Sequence, residues 1–399
     1  MKKIFLLCNL VIALVANAQE DSIAIYIKNV GKEINSPYPD YAPVISADGG
    51  LLMFTSKRPV SKREIEKSKE SSEHIFDCEF NKSVGEYGPA KMINSSVNIK
   101  IRNNSAIALS TDGQRMLVYH DNYNGNGDIY ESDLKGTEWT KPVNLGESIN
   151  SLYHESSACI APDNKTIYFV SDRPGGIGGR DIWYCKKDEN GKWTKAENLG
   201  EPINTLYDEE GVFLHADGMT LYFSSNCPQG IGGYDIYKSE YKNDKWNTPV
   251  HLGEPLNTHG DDVFFVVEAN GRIGYYSSSM PGGYGDKDIY EVTFTPIKKE
   301  VKPVGPKLTL FKGVVFDEEK LSPIEAFIEI VDNDKREVIS TFNSNSSTGK
   351  FLIPLPAGKN YGIAVKADNY LFYSDNFNLP DSVGYNEVEK NIFLKRLSV

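Results

Sequence analysis

Residues 181–183 read Asp-Ile-Trp, and this pattern of a polar residue, an isoleucine and an aromatic residue occurs five times in the chain. The five landmarks are His74-Ile75-Phe76, Asp128-Ile129-Tyr130, Asp181-Ile182-Trp183, Asp235-Ile236-Tyr237 and Asp288-Ile289-Tyr290. Their first residues are separated by 54, 53, 54 and 53 positions. A spacing held this closely indicates that each landmark belongs to one supersecondary unit that stacks on copies of itself.

One such unit, residues 150–204, contains four short stretches with the composition of β-strands. They include Ser156–Ala161, Thr166–Ser171 and Asp181–Cys185, and the fourth lies near Trp193. β-Branched and aromatic residues dominate these stretches, and Pro, Asn, Asp and Gly separate them, as expected for strands and turns. Four-stranded antiparallel units at this period are typical of propeller blades, so the sequence predicts an all-β propeller.

The landmarks predict five blades, because the last unit lacks an outer strand and the start of the chain supplies one. The stretch Ile23–Ile27 reads as a strand, and Val30–Asn35 after it parallels Leu199–Asn204 of the third repeat. We expect this N-terminal strand to complete the final blade and so to remove the open edges of the ring. Six blades are the alternative, which would require a further blade that the sequence does not reveal.

The chain divides into four parts. Residues 1–18 have the basic start, the short apolar run and the small residues of an export signal. The propeller then covers 19–295, and a linker rich in Pro and Lys covers 296–306. Residues 307–399 show a second, non-repeating strand pattern that predicts a small β-sandwich of about seven strands. The chain is therefore expected to be exported.

The charge of the chain excludes some partners. The 43 basic and 55 acidic residues give a formal charge of −12, and removal of Lys2 and Lys3 with the signal leaves 41 against 55, or −14. Such a surface repels nucleic acid and anionic lipid. We therefore predict no nucleic-acid partner and at most a peripheral position at the outer membrane. The four cysteines that remain, Cys78, Cys159, Cys185 and Cys227, match no metal-binding spacing, and their disulfide state is open.

The repeat resembles a known family. The segments Asp163–Trp183 and Asp217–Tyr237, with Ser171-Asp-Arg-Pro-Gly-Gly176 and Ser225-Asn-Cys-Pro-Gln-Gly230 inside them, are similar to the WD-like, or PD, propeller repeat of the TolB type. Residues 309–399 resemble the carboxypeptidase regulatory-like domain through Gly313, Pro323-Ile324-Glu-Ala326, Thr348-Gly349-Lys-Phe351, Leu355-Pro-Ala-Gly358 and Tyr361. Together they are similar to envelope proteins of Bacteroidetes-like bacteria that continue into an OmpA-like domain. These 399 residues do not include that domain, so peptidoglycan binding is not carried over.

The repeat also predicts a ring of polar residues. Counting eight residues back from the turn residues Asp48, Asp112, Asp163, Asp217 and Asn270 gives Asp40, Asn104, Glu155, Glu209 and Asp262. At the start of each innermost strand these side chains would surround the axial opening. Oxygen ligands that converge on an axis suit Ca²⁺ or Mg²⁺. The interpretation we favour is that each side chain bonds backbone amides or bridges to the next blade, so we predict no metal and no cofactor.

Three tyrosines form a second candidate set on the same face. Tyr38, Tyr153 and Tyr207 occupy one offset in three of the loops that lead into the innermost strands. Exposed tyrosines suit peptide or glycan recognition, and packing between loops is an equal alternative.

The landmark aspartates are expected to fix turns, and the chain contains no Gly-x-Ser-x-Gly elbow and no helical zinc spacing.

These patterns predict a scaffold without catalytic activity. We expect an exported protein-interaction module, in the periplasm or at the outer membrane, whose partners are envelope proteins. An accessory role in outer-membrane assembly or type IX secretion is implied by the resemblance alone. The alternative is a propeller that binds or cleaves polysaccharide. An axial pocket with a His and two carboxylates would favour that alternative, whereas an axis filled by Tyr or Phe would favour the scaffold.

Overall fold

The computed structural model describes residues 23–66, 72–99, 103–121, 126–296, 306–380 and 384–397. Nearly all regular structure in these ranges is β-strand, and one short helix spans Lys62–Glu66. In the same ranges no helix is long and apolar enough to cross a membrane. The expected signal peptide and residues 297–305 of the linker lie outside the described residues.

Residues 23–296 form five antiparallel sheets, each built around one landmark. We number them blades 1 to 5, for residues 40–98, 104–150, 155–204, 209–257 and 262–296. The innermost strands are Asp40–Ile45, Asn104–Leu109, Glu155–Ile160, Glu209–Leu214 and Asp262–Val267. The second strands are Leu51–Ser56, Arg115–Asp121, Thr166–Ser171, Thr220–Ser225 and Ile273–Ser278. The third strands, which begin with or just before the landmarks, are His74–Asn81, Gly127–Lys135, Asp181–Lys186, Asp235–Lys242 and Asp288–Pro296.

The outer strands are short and interrupted. They are Glu86–Tyr87 and Lys91–Met92, Glu138–Trp139 and Val143–Asn144, Glu197–Asn198, and Lys245–Trp246 and Val250–His251. In the fifth blade the outer strand is Ile23–Asn29, which pairs antiparallel with Asp288–Pro296. This pairing confirms the all-β propeller with an N-terminal closing strand. Short or covered edges of this kind protect a sheet from pairing with other chains.

The blades pack side by side in a closed ring. The innermost strand of blade 1 contacts those of blades 2 and 5, and the remaining innermost strands contact one another in chain order. Between blades 2 and 3, for example, Leu117, Ile160 and Phe169 form one buried cluster. Each fully buried side chain of this size contributes about 2 kcal/mol through removal of apolar surface from water. The core is therefore distributed between the blades.

Residues 308–394 form a β-sandwich of eight strands in two sheets. The first sheet contains Leu308–Asp317, Lys350–Pro356, Asn386–Glu389 and Ile392–Leu394, and the second contains Phe327–Asp332, Glu337–Asn343, Lys359–Lys366 and Tyr373–Leu379. Tyr373–Leu379 and Asn386–Glu389 are two strands that the sequence reading did not identify. Phe311, Ile328, Phe351 and Ile363 meet in the core between the sheets.

The sandwich covers one face of the propeller. Leu308 and Leu310 are fully buried against Ala47, Ala216 and Ala269, which lie at the turns after three innermost strands. We call this the capped face. Farther from the axis, the Asn345 side-chain amide donates to the carbonyl of Gly136 in blade 2 at 2.8 Å. The opposite face, which carries the loops that lead into the innermost strands, is the open face.

Candidate functional site

A small apolar cavity runs along the propeller axis. Its volume is about 50 Å³, and its wall includes Ala42, Ala106, Val212, Phe264 and Val266. Of the described residues that line it, none carries a charged side chain and none is a histidine. Phe264 has a left-handed backbone conformation, with φ of 59°, at a bulge in its strand, as Ala42 does at 49°. The axis is therefore narrow and apolar, with a phenylalanine in its wall.

The five predicted ring residues do not line this cavity. Asp40, Asn104, Glu155, Glu209 and Asp262 are all 0% exposed. In four of them the carboxylate accepts hydrogen bonds from the backbone N–H and the hydroxyl of the residue four positions earlier, which is Ser36, Ser151, Thr205 or Thr258. Asn104 instead exchanges bonds with the backbone of Ile99. Each side chain thus fixes the loop that leads into its own strand.

Arginine balances the buried carboxylate in two of the blades. Arg58 Nη2 lies 2.7 Å from Asp40 Oδ1 in blade 1, and Arg173 Nη2 lies 3.0 Å from Glu155 Oε1 in blade 3. Each guanidinium also stacks on an aromatic ring, 4.7 Å from the centroid of Phe76 or Phe169. A buried charge is tolerated when it is paired and hydrogen-bonded in this way.

Blades 4 and 5 lack this arginine. The equivalent positions, two residues after the second strand's last serine, hold Cys227 and Met280. Burial raises the pKa of the Glu209 carboxyl to about 7, although hydrogen bonds from Thr205 and Ser225 oppose the shift. Burial likewise raises the pKa of Asp262. The buried acids of these two blades therefore hold their protons more tightly than an exposed carboxyl does.

The landmark aspartates fix the glycine-rich turns, as the sequence suggested. Asp181 accepts hydrogen bonds from the backbone of Ile177 and Gly178, and Asp288 accepts equivalent bonds in blade 5. A Cβ on Gly178 would lie 2.1 Å from the carbonyl oxygen of Tyr207, in the leading loop of the next blade. Glycine is needed there because two backbones approach closely. Gly232 and Gly285 approach the next leading loop in the same way, so the turns of blades 3, 4 and 5 each pack closely on the neighbouring blade.

A second set of hydrogen bonds involves the leading loops, which in the part of the chain that the structure describes are residues 36–39, 151–154, 205–208 and 258–261. The Asp208 side chain accepts a bond from the backbone N–H of Arg180 in the preceding blade, at 3.0 Å. Its own backbone N–H donates to the side chain of Asn226, at 2.9 Å. In blade 3, the N–H of His154 donates to Asp172 in the same manner. The leading loop of blade 4 is thus held from both sides.

The predicted tyrosines lie on these loops, beside residues that sequence reasoning missed. Tyr153 and Tyr207 are 42% and 41% exposed, while Tyr38 is partly buried. Leu152 and Leu206, directly before two of the tyrosines, are 89% and 79% exposed. The repeated Leu-Tyr pair was a sequence signal for this site, because nothing in the strand pattern requires a leucine in a turn. Exposed apolar side chains grouped on one face are a feature of interaction surfaces.

Polar residues surround the inner side of the open face, and sequence reasoning did not select them either. Arg180 Nη1 lies 2.9 Å from Glu210 Oε2, and the Ser156 hydroxyl lies 2.8 Å from both Glu210 oxygens. The Tyr119 hydroxyl lies 3.2 Å from His154 Nε2. The signal for Arg180 was its position directly before a landmark. Arg180 and Ser156 together hold the Glu210 carboxylate in place.

The thiols and potential metal ligands offer no alternative site. Cys78, Cys159 and Cys185 are buried and Cys227 is partly buried, and all four are free. Among the described residues, no group of three or more His, Cys, Asp or Glu side chains is arranged to hold a metal ion. The open face, with its exposed Leu-Tyr pairs, is therefore the candidate functional site.

Comparison with known proteins finds structures that are similar to this chain in fold. The chain matches no protein-family model and no curated protein. It is similar to TolB from Acinetobacter baumannii, with 20% identity, a TM-score of 0.36, and coverage of 65% of this chain and 55% of that one. A second TolB structure, from Agrobacterium tumefaciens, shows 16% identity and a TM-score of 0.41 over 70% of this chain and 100% of that chain. The chain thus spans little more than half the length of the Acinetobacter protein.

Enzymes also occur among the similar structures. An α-L-arabinofuranosidase from Lactobacillus brevis shows 14% identity and a TM-score of 0.40, over 65% of this chain and 90% of that chain. At such low identity the similarity concerns the fold and not the chemistry. The structural neighbours therefore include TolB-type β-propeller proteins and hydrolases, and the function must be argued from the site.

Proposed function

We propose that this chain is a non-enzymatic protein-interaction module of the cell envelope and that its open face is the docking surface. The observation that carries the proposal is the exposure of Leu152 and Leu206, at 89% and 79%, on loops whose backbones are held by hydrogen bonds. A rigid loop loses little conformational entropy when it binds, so exposed apolar side chains on it contribute efficiently to affinity.

The small, apolar cavity along the axis favours a scaffold over an enzyme. The cavity is apolar and about 50 Å³ in volume, which leaves no space for a saccharide unit beside catalytic carboxylates. Phe264 in its wall corresponds to the filled axis expected of a scaffold. The Glu210 carboxylate, which lies two residues after the leading loop of blade 4, is paired with Arg180 and Ser156. These features support docking at the open face.

The resemblance of the sequence to envelope proteins extends the proposal to a cellular setting. The first 18 residues act as an export signal, and the protein works in the periplasm or at the outer membrane. Residues 307–399 are a carboxypeptidase regulatory-like domain that serves as a spacer on the capped face. The partners are envelope proteins, in outer-membrane assembly or type IX secretion. Similarity to TolB-type propellers is consistent with this setting.

Glycan binding is the second candidate, since the rings of Tyr153 and Tyr207 are exposed and could stack on a sugar face. Titration calorimetry of the full chain with envelope polysaccharide would detect it. Heat of binding that disappears when both tyrosines are changed to Ala would favour the glycan over the protein partner.

Site-specific photo-crosslinking tests the main proposal. A photoreactive amino acid is placed at position 152 or 206 on the open face, and at Leu321 as a control, an exposed leucine of the sandwich that is 66% accessible. We expect the two open-face positions to crosslink one and the same envelope protein in cells. The proposal fails if position 321 captures that protein equally well, or if neither open-face position captures any.

A further inference from the structure

The outer strand of blade 5 lacks an aromatic residue that the outer strands of the other four blades have. In every blade, the sixth residue after the start of the landmark pairs with one residue of the outer strand. These outer-strand partners are Tyr87, Trp139, Trp193, Trp246 and, in blade 5, Ile25. Trp139, for example, belongs to one buried cluster with Met53 and Ile75 of the preceding blade. The aromatic ring thus fills the boundary between two blades, and blade 5 has the smaller isoleucine there.

A cavity lies at the boundary between blades 4 and 5, beside this smaller side chain. Its volume is about 580 Å³, and its wall includes Ile25 and Phe294 of blade 5 and Met219, Tyr222 and Leu252 of blade 4. Sites that bind small ligands or large side chains have volumes of roughly 300 to 1,000 Å³. The tryptophans of blades 2, 3 and 4 show that a planar aromatic ring suits this kind of boundary.

The closing strand beside the cavity has an open edge. Ile23–Asn29 pairs with the third strand of blade 5 over all seven residues, whereas the outer strands of the other blades are two residues long. Among the residues that the structure describes, no further strand pairs with it. Its first five residues, Ile-Ala-Ile-Tyr-Ile, include no charge, Pro or Gly. An edge strand of this kind is a template for a strand of another chain.

The charges around the cavity favour an acidic occupant. The lining includes three lysines and two acids, which are Lys238, Lys242, Lys307, Asp217 and Glu240. Lys238 and Lys242 share the single carboxylate of Glu240. The lining therefore has a surplus of positive charge, although the whole chain carries a formal charge of −12. Complementary charge of this kind guides a partner to its site and selects among partners.

We propose that blade 5 binds an extended segment of a protein partner, which adds as a strand to the edge of Ile23–Asn29 and places an aromatic side chain in the cavity. Main-chain hydrogen bonds hold the segment, and the cavity selects its aromatic residue. An acidic residue beside the aromatic one meets Lys238 and Lys242. This surface is separate from the open face, because Ile23 pairs with Pro296, at the end of the third strand that is farther from the landmark.

Fluorine NMR of a peptide with the full chain tests this site. The peptide has the sequence of residues 136–142, Gly-Thr-Glu-Trp-Thr-Lys-Pro, with a fluorinated tryptophan. It contains the acid and the ring that occupy the outer strand of blade 2. We expect its fluorine signal to broaden, with a Kd of about 1 mM or below. Hydrogen exchange at Ile23–Asn29 should slow when the peptide binds.

Three variants define the site. Ile25→Trp should raise Kd at least about tenfold, because its own ring fills the cavity. Tyr26→Trp is the matched control on the opposite face of the same strand, and its Kd should equal that of the wild type. Lys242→Glu should also raise Kd, by repulsion of the acidic residue. Its side chain is 61% exposed, so this test does not depend on whether Ile25→Trp folds.

The proposal is overturned if the signal stays sharp at millimolar peptide, if exchange at Ile23–Asn29 is unchanged, or if Lys242→Glu or folded Ile25→Trp binds like the wild type. A dimer in sedimentation that Ile25→Trp abolishes would identify a second copy of the chain as the occupant. Binding that appears only after residues 297–305 are replaced by Gly and Ser would assign the cavity to the chain's own linker. Either of these results also overturns the proposal.

Discussion

The side chain of Asn35 bonds both backbone groups of Ile289, which lies 254 residues farther along the chain. Asn35 Nδ2 is 2.9 Å from the carbonyl oxygen of Ile289, and Asn35 Oδ1 is 2.9 Å from its backbone nitrogen. The same pair of bonds occurs in every blade, between Asn98 and Ile75, Asn150 and Ile129, Asn204 and Ile182, and Asn257 and Ile236. In blade 5 alone these bonds join the two ends of the propeller.

Asn35→Ala should therefore loosen the closing strand. The N–H of Ile289 loses its partner and its carbonyl keeps only the bond from the N–H of Val30, so we expect the free energy of unfolding to fall by about 2 kcal/mol. Hydrogen exchange at Ile25 and Ile27 should speed up as the strand detaches. Asn204→Ala removes the same bonds inside a continuous stretch of chain and is the matched control. Unchanged exchange at Ile25 in the Asn35 variant would show that the strand does not depend on this contact.

The glycine-rich turns give a second prediction. In Gly178→Ala the new Cβ would meet the carbonyl oxygen of Tyr207 at 2.1 Å, so either the turn or the next leading loop must shift. We expect a loss of more than about 2 kcal/mol in denaturant unfolding. Gly88→Ala is the control, because its Cβ would lie 3.7 Å from the nearest atom. A similar small effect for both variants would contradict the close packing of adjacent blades.

Stability should depend on pH through buried carboxyls. Burial raises the pKa of Glu209 and of Glu268 to about 7, from an ordinary value of 4.5. The folded chain holds these protons after the unfolded chain has lost them. Their stabilising effect is fully present below pH 4.5 and is lost as the pH rises through 7, by at most about 3 kcal/mol for each group. In Glu209→Gln the free energy of unfolding, measured in urea, should fall less steeply between pH 4.5 and 7 than in the wild type. An unchanged dependence on pH would show that Glu209 does not take up a proton in the folded chain.

Cys227→Arg should stabilise blade 4. Phe223 and Tyr237 form a stacked pair there, as Phe54 and Phe76 do beneath Arg58 in blade 1. The new guanidinium can reach the carboxylate of Glu209, so the free energy of unfolding above pH 7 should rise by about 1 to 2 kcal/mol. Cys227→Ala controls for loss of the thiol. If the arginine variant is no more stable than the alanine variant, the carboxylate does not need a cation.

Much of the fold could be predicted from the sequence, because repetition multiplies each weak signal. The landmark spacing indicated the blades, and the unpaired start of the chain indicated the closing strand, which Ile23–Asn29 forms. The sandwich was harder to predict, since its strands do not repeat. Tyr373–Leu379 is half polar and alternates between partly buried and exposed residues, so its composition resembled a loop.

The site was predicted only in part, and for a physical reason. Spacing placed Asp40 and Glu155 at the starts of their strands, but it could not show whether those side chains point to the axis or pack between blades. Arg58 and Arg173, two residues after the second strands of their blades, were a sequence signal that these carboxylates are buried, because a buried carboxylate needs a cation. Exposure of Leu152 and Leu206 depends on the shape of the loops, which strand patterns do not encode.

The affinity of the crosslinked envelope partner for variants of the open face tests the central claim most directly. Binding of the purified partner is measured by titration calorimetry with the wild-type chain, with the double variant Leu152→Ser/Leu206→Ser, and with Leu321→Ser as the matched surface control. We predict that Kd rises at least about tenfold for the double variant and stays unchanged for the control, with the same Tm in all three. Equal Kd values for the wild type and the double variant would contradict docking at the open face.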